Sequence, residues 1–191
     1  MGYLLDIVGS FIIAGMVIMI LMAVTINNNA SSSVILFTTI EQQKITDVSE
    51  LIEYDIYKIG YRIPDEKIAI ADSNEIKFYT DINNDDVVDS VHYYLGETTD
   101  LSSTTNPNDR PLHRQRNDQE SLHSQIPVVD FQLSYFDSIG NSLDYSSLTS
   151  SAGRDLIKSI KIKISVESDE MYDEKYRTSE WKKKISPKNL R

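Results

Sequence analysis

Asp81, Asn83, Asp85 and Asp89 stand at positions 1, 3, 5 and 9 of the spacing by which a calcium loop gathers oxygen ligands. Carboxylate and amide oxygens at alternate positions of a tight loop can converge on one hard cation. Position 6, where a glycine makes the sharp turn, is Asp86, and position 12, where a bidentate glutamate belongs, is His92. The residues that follow read as strand and not as helix. A solvated turn explains the same residues more simply, so calcium is the one cofactor the sequence suggests and not one it requires.

Other routes to chemistry are thinly supplied. His92, His113 and His123 are scattered, with no pair at helical metal-ligand spacing. His92 falls in a strand-like stretch beside Tyr93 and Tyr94, where a packed or edge histidine is the ordinary reading. HExxH, G-x-S-x-G and glycine-rich phosphate loops are all missing from the sequence, and seven glycines leave little room for a phosphate cradle. The chain has no cysteine, so neither a disulfide nor a thiolate metal site staples it. Carboxylates are abundant, but abundance alone does not make an acid/base pair. The expectation is a protein that is not an enzyme.

The elements that must carry these residues begin with an apolar run. Ile7 to Ile26 is free of charge and matches the roughly 20 residues that cross a bilayer core of about 30 Å. A signal-peptide core is shorter and follows basic residues, whereas the first basic residue here is Lys44; a retained helix is expected. Asp6 opens that helix. It is either an interfacial residue near the positive end of the helix dipole or a carboxylate at membrane depth that needs a partner, for which a neighbouring chain's free amine would serve. The positive-inside rule is nearly silent; the large polar remainder is placed outside the cytoplasm because the N-terminal flank is so short.

After the polar patch Asn27–Ser33, apolar residues return at Val34, Ile35, Phe37, Ile40, Ile45, Val48, Leu51, Ile52, Ile56 and Ile59, with the three-and-four spacing of one helix face. Gly60 and Pro64 supply a stop. One helix, or two nearly collinear ones, is expected from about Leu4 to Ile59, a span of about 80 Å. From Glu66 the period becomes two. Strands are expected at Ile68–Ile70, Ile76–Tyr79 and Val87–Leu95, the last two joined as a hairpin by Thr80–Asp86. Further strands are expected in Val128–Asp137, around Leu143, in Leu156–Ser168 and in Tyr176–Ile185. Gly96–Ile126 reads as a long loop with a short edge strand near Leu112, and Pro187 onward as a tail. The fold class is α+β: a long N-terminal helix, membrane-spanning and then an amphipathic spine, packed on an antiparallel sheet. The expected division is residues 1–30 as the spanning helix and 31–191 as the head, with the spine at 31–60 and the β-rich part at 66–185.

The net charge of −10 is unevenly placed, because Glu41 to Asp100 holds 15 acidic and 5 basic residues while the remainder balances. Such a surface argues against nucleic acid as a partner.

Together with Tyr54–Tyr61, Ile76–Asp81, Val87–Leu95, Leu112–Arg114, Phe131–Tyr135, Ile157–Ile164, Trp181 and the closing Pro187–Leu190, these features give a chain that resembles the type IV pilin-like proteins. It is most similar to the minor pseudopilin J of type II secretion and its minor-pilin relatives. The resemblance implies subunits stored in the cytoplasmic membrane and extracted by an assembly machine into a filament cored by their N-terminal helices. It also implies a glutamate at mature position five that pairs with a neighbour's amine, and a basic leader cleaved after glycine. Here Gly2-Tyr3 stands as the junction without a basic leader, mature position five is Ile7, and Asp6 is the candidate substitute. The expected function is therefore a structural subunit of an extracellular filament or secretion pseudopilus, its partners being other pilin-like subunits, the membrane and the assembly machinery. The rival expectation is a membrane-tethered binding module, sensor or adhesin, that uses Gly96–Ile126 and does not polymerise.

Overall fold

The computed structural model describes residues 2–101, 104–117, 119–171 and 174–190, with backbone alone at Leu5, Ala30 and 120–125. The first element, α1 (Gly2–Tyr57), is a single unbroken helix. No proline interrupts it. Its hydroxyl residues turn back onto the helix: Ser10 donates to the Asp6 carbonyl at 2.8 Å, Thr25 to Leu21 at 2.8 Å and Ser33 to Asn29 at 3.0 Å. These bonds satisfy polar side chains without an outside partner, and the patch Asn27–Ser33 stays helical. α1 ends where the backbone turns left-handed, with Gly60 at φ 71° and Arg62 at φ 59°. The freed Gly60 N–H donates to the Tyr79 carbonyl at 2.9 Å. A Cβ at Gly60 would meet the Lys67 side chain at 2.7 Å, so position 60 needs glycine for both conformation and space.

The strands follow as β1 (Ile68–Ala71), β2 (Glu75–Thr80), β3 (Asp89–Leu95), β4 (Arg110–Arg116), β5 (Gln119–Val128), β6 (Asp130–Phe136), β7 (Ser142–Leu143), β8 (Ser159–Glu167) and β9 (Thr178–Ile185), with a short helix α2 (Ser151–Arg154) before β8. They form two antiparallel sheets, β1-β2-β3-β4-β5 and β7-β6-β8-β9, where the spacing alone suggests one. The α+β class holds. Three local expectations change. Gly96–Ile126 is not mainly a loop, because it contains all of β4 and most of β5. Val87 and Val88 lie in the turn, 59% and 54% exposed, and β3 starts at Asp89. The tail ends in a 3-10 turn, Lys188–Leu190, whose Leu190 is buried.

The chain divides into two compact units, Met1–Ile40 and Glu41–Arg191, ten residues later than the patch at Asn27–Ser33 suggests. In the second unit Ile45, Val48, Ile52 and Ile56 of α1 are buried with Phe78, Val91, Tyr93 and Leu112 of the first sheet. Phe131, Leu133 and Tyr135 of β6 and Ile160, Ile162 and Ile164 of β8 complete the same core. The two sheets are tied directly by the Leu133 N–H to the Ser73 carbonyl at 2.7 Å and the Tyr135 hydroxyl to the Asp72 carbonyl at 2.9 Å.

Candidate functional site

In the first unit the apolar side chains of residues 7–26 are exposed, while Val34 and Phe37 are half-buried. Phe11 is 74% and Met19 73% exposed, in contrast to 1% at Ile52. α1 is long and apolar enough to cross a membrane. Asp6 lies exposed on this segment, one turn past the helix start.

In the second unit the spine carries a charge into the core. Asp55 is fully buried. It accepts from the Tyr93 hydroxyl at 2.6 Å, from Arg114 Nε at 2.7 Å and from Arg114 Nη2 at 3.3 Å. Burial, then the Asp55 charge, pushes the Tyr93 hydroxyl well above its usual range. Burial opposes the Arg114 charge, yet the bonds to Asp55 and Tyr93 and the negative charge beside it together outweigh burial and raise the guanidinium further. Asp55 sits between Ile52 and Ile59 at core spacing, the signal by which the sequence marks it. Lys183 of β9 pairs with Glu53 on the same helix, so α1 is bonded to both sheets.

The acidic turn is closed by the protein's own donors. Asp81 accepts the N–H groups of Asp85 at 3.1 Å and Asp86 at 3.2 Å, and Arg62 Nη1 at 3.0 Å. Asp89 accepts the Ile82 N–H at 3.1 Å, Asn117 Nδ2 at 2.7 Å and a two-pronged contact from Arg116 at 2.9 and 3.0 Å. Asn83 donates to Asp85 at 2.8 Å. Burial works against ionisation of Asp81 and Asp89, but these donors outweigh it and hold both carboxyls below the usual range. Asn84 and Asp86 adopt left-handed backbone, φ 62° and 63°, so the tight turn is made without glycine. Asp81 and Asp89 thus share the turn with Arg62 and Arg116, two cations that the loop spacing does not reveal. Among the described residues no group of three or more His, Cys, Asp or Glu is arranged to hold a metal.

A third polar cluster lies where α1 enters the head. Lys44 donates to Asp169 at 2.9 Å and lies 3.6 Å from Glu41. Glu41 and Asp109 are buried, each with one carboxylate oxygen that has no hydrogen-bond partner among the described residues. Burial first, and the Asp169 charge beside it, pushes both carboxyls up, against the pull of Lys44.

On the outward face of the first sheet His92 bonds Glu75 at 2.8 Å. The Tyr94 ring stacks on His113 at 4.5 Å and lies 4.8 Å from His92. The His92 and Tyr94 rings border a shallow groove of about 390 Å³ lined also by Asn74, Glu75, Leu95 and Gln115. The His123 side chain lies outside the described residues.

No family model, curated protein or solved structure matches this chain.

Proposed function

We propose that the chain is a pilin-like structural subunit of an extracellular filament or secretion pseudopilus, stored through its apolar helix in the cytoplasmic membrane with the head outside. One observation carries this reading: a single helix exposes its apolar side chains over residues 7–26 and, over 41–57, buries one face as the spine of an α+β head. A tether needs only to cross the bilayer. A helix that spans and then forms the spine of its own domain suits a subunit whose helices bundle while the heads lie outside. Asp6 is the one acid on the apolar segment, and a carboxylate carried into a helix bundle requires a cationic partner; a neighbouring chain's amine is that partner here. Electron microscopy of sheared surface filaments, with this chain identified by labelled antibody and mass spectrometry, tests the proposal. Recovery of the chain solely in the membrane fraction, with filaments lacking it, would sink it.

A second reading, a tethered binding module, is favoured by the groove beside His92 and Tyr94. It does not rest on Gly96–Ile126 as a free loop, because β4 and β5 occupy about half of that segment.

A further inference from the structure

The register of β8 and β9 places lysine directly opposite lysine twice. Lys161 pairs with Lys184 and Lys163 with Lys182. All four stand on the outward face, since the alternate residues Ile160, Ile162 and Ile164 are buried. Like charges directly opposite one another destabilise a sheet unless neutralised, and here two consecutive pairs stand on one face in a chain whose net charge is −10. On β6 the residues opposite Lys161 and Lys163 are Ser134 and Gln132, which neutralise nothing. Lys163 and Lys182 share Glu180, and Lys163 also reaches Asp130. Lys161 and Lys184 have no acidic partner among the described residues; Lys184 lies 3.7 Å from the centre of the Phe136 ring.

β9 is an edge strand, and lysines on an edge discourage unwanted strand addition. That need accounts for Lys182 and Lys184. It does not account for Lys161, which lies on β8 with a strand on either side, whereas Lys163 is held there by Asp130 and Glu180. A rule broken on both strands at once points to a use for the charge.

We propose that this lysine face docks a second copy of the same chain, against the exposed side of that copy's α1. Asp47 and Glu50 lie on the side of α1 away from Ile45, Val48 and Ile52, and both are exposed. The basic face and the acidic face therefore belong to opposite sides of one head, helix layer and sheet layer. Joining them between copies is a head-to-tail contact, which repeats without closing unless its rotation closes a ring. The inference deepens the filament reading by naming a contact between heads, and it rests on that reading only for its biological setting.

The test is zero-length carbodiimide cross-linking of the full chain in detergent micelles, with peptide mapping. Copies distinguished by isotope labelling give links from Lys161 or Lys184 of one to Asp47 or Glu50 of another, lost when salt is raised from about 0.05 to about 0.5 M. The Lys161→Glu/Lys184→Glu variant loses them, as does Asp47→Lys/Glu50→Lys, and mixing the two variants restores links with the charges exchanged. Wild-type links between copies that map to other lysines, or to carboxylates off α1, overturn the proposal. So does failure of the mixture to restore them while Trp181 fluorescence reports both variants folded. Lysines that become protected only with phosphatidylglycerol vesicles, and not with phosphatidylcholine, overturn it in favour of a membrane surface. Filaments that assemble unchanged from the lysine variant remove this contact and leave the filament reading standing; mapped links without any filaments do the reverse.

Discussion

The inside of the head and the outward face of β8 and β9 treat charge in opposite ways. Inside, buried carboxylates meet arginines, two of which reach in from the surface: Asp55 with Arg114, Asp81 with Arg62, Asp89 with Arg116. Outside, on two neighbouring strands, lysine faces lysine. The difference separates charge that fixes the fold from charge that the fold merely tolerates. A buried ion has no solvent to fall back on, so its partner is obligatory, while an exposed lysine keeps its hydration and costs little.

The largest test of that contrast is Arg114→Met. It leaves Asp55 buried without its cation, and unfolding followed by Trp181 fluorescence should show a loss of about 3–5 kcal/mol. A loss below about 1 kcal/mol would mean that solvent reaches Asp55. Next comes pH. Asp81 and Asp89 have lowered pKa values in the folded state, so their stabilisation is present above the ordinary carboxylate range and is lost as pH falls through the lowered values. Glu41 and Asp109 have raised values, which act in the opposite sense: their ionisation weakens the fold near neutrality, and that cost is removed on mild acidification. The thermal midpoint should rise slightly from neutral pH toward the carboxylate range and drop below about pH 4. A curve that falls steadily from pH 7 contradicts the placement of Glu41 and Asp109. On the outer face the sign reverses, and Lys161→Glu should stabilise the head by about 0.2–1 kcal/mol, since it replaces a like pair by an opposite one. Destabilisation there would show that the lysine pairs are not strained. The smallest expected effect is that of calcium at about 1 mM, the range of weak extracellular sites. With Asp81 and Asp89 held by arginines, the midpoint should not move; a rise of several degrees would show that the cation displaces them.

Much of the fold was legible because burial leaves a period. Ile45, Val48, Ile52 and Ile56 mark the spine, and Ile160, Ile162, Ile164 and Val166 mark β8. β4 was legible only as a short edge strand near Leu112, not as a full interior strand, because its inward face carries Leu112 but also Arg114 and Arg116, whose partners Asp55 and Asp89 are distant in sequence. A strand whose core side is half guanidinium shows no hydrophobic alternation. Val87 and Val88 misled in the other direction, as apolar residues that the turn leaves outside. The four acidic-turn residues were identified by spacing, but the arginines that share the turn come from the helix exit and from β4. The lysine pairs follow from the register of β8 and β9, which the strand patterns alone do not specify.

Lys183 bonds Glu53, Asn189 bonds the Ile59 carbonyl at 3.2 Å, and Leu190 is buried in the same core. Each of these two bonds joins residues 130 positions apart. The spine of the head is therefore synthesised well before the last of its neighbours. Until β9 and the turn after it have emerged, Ile52 and Ile56 lack part of their cover, whereas residues 7–26 need none from the rest of the chain. Synthesis thus delivers the apolar helix well before the head closes, and a nascent chain has time to settle its N-terminal segment while the spine still waits for its last strand.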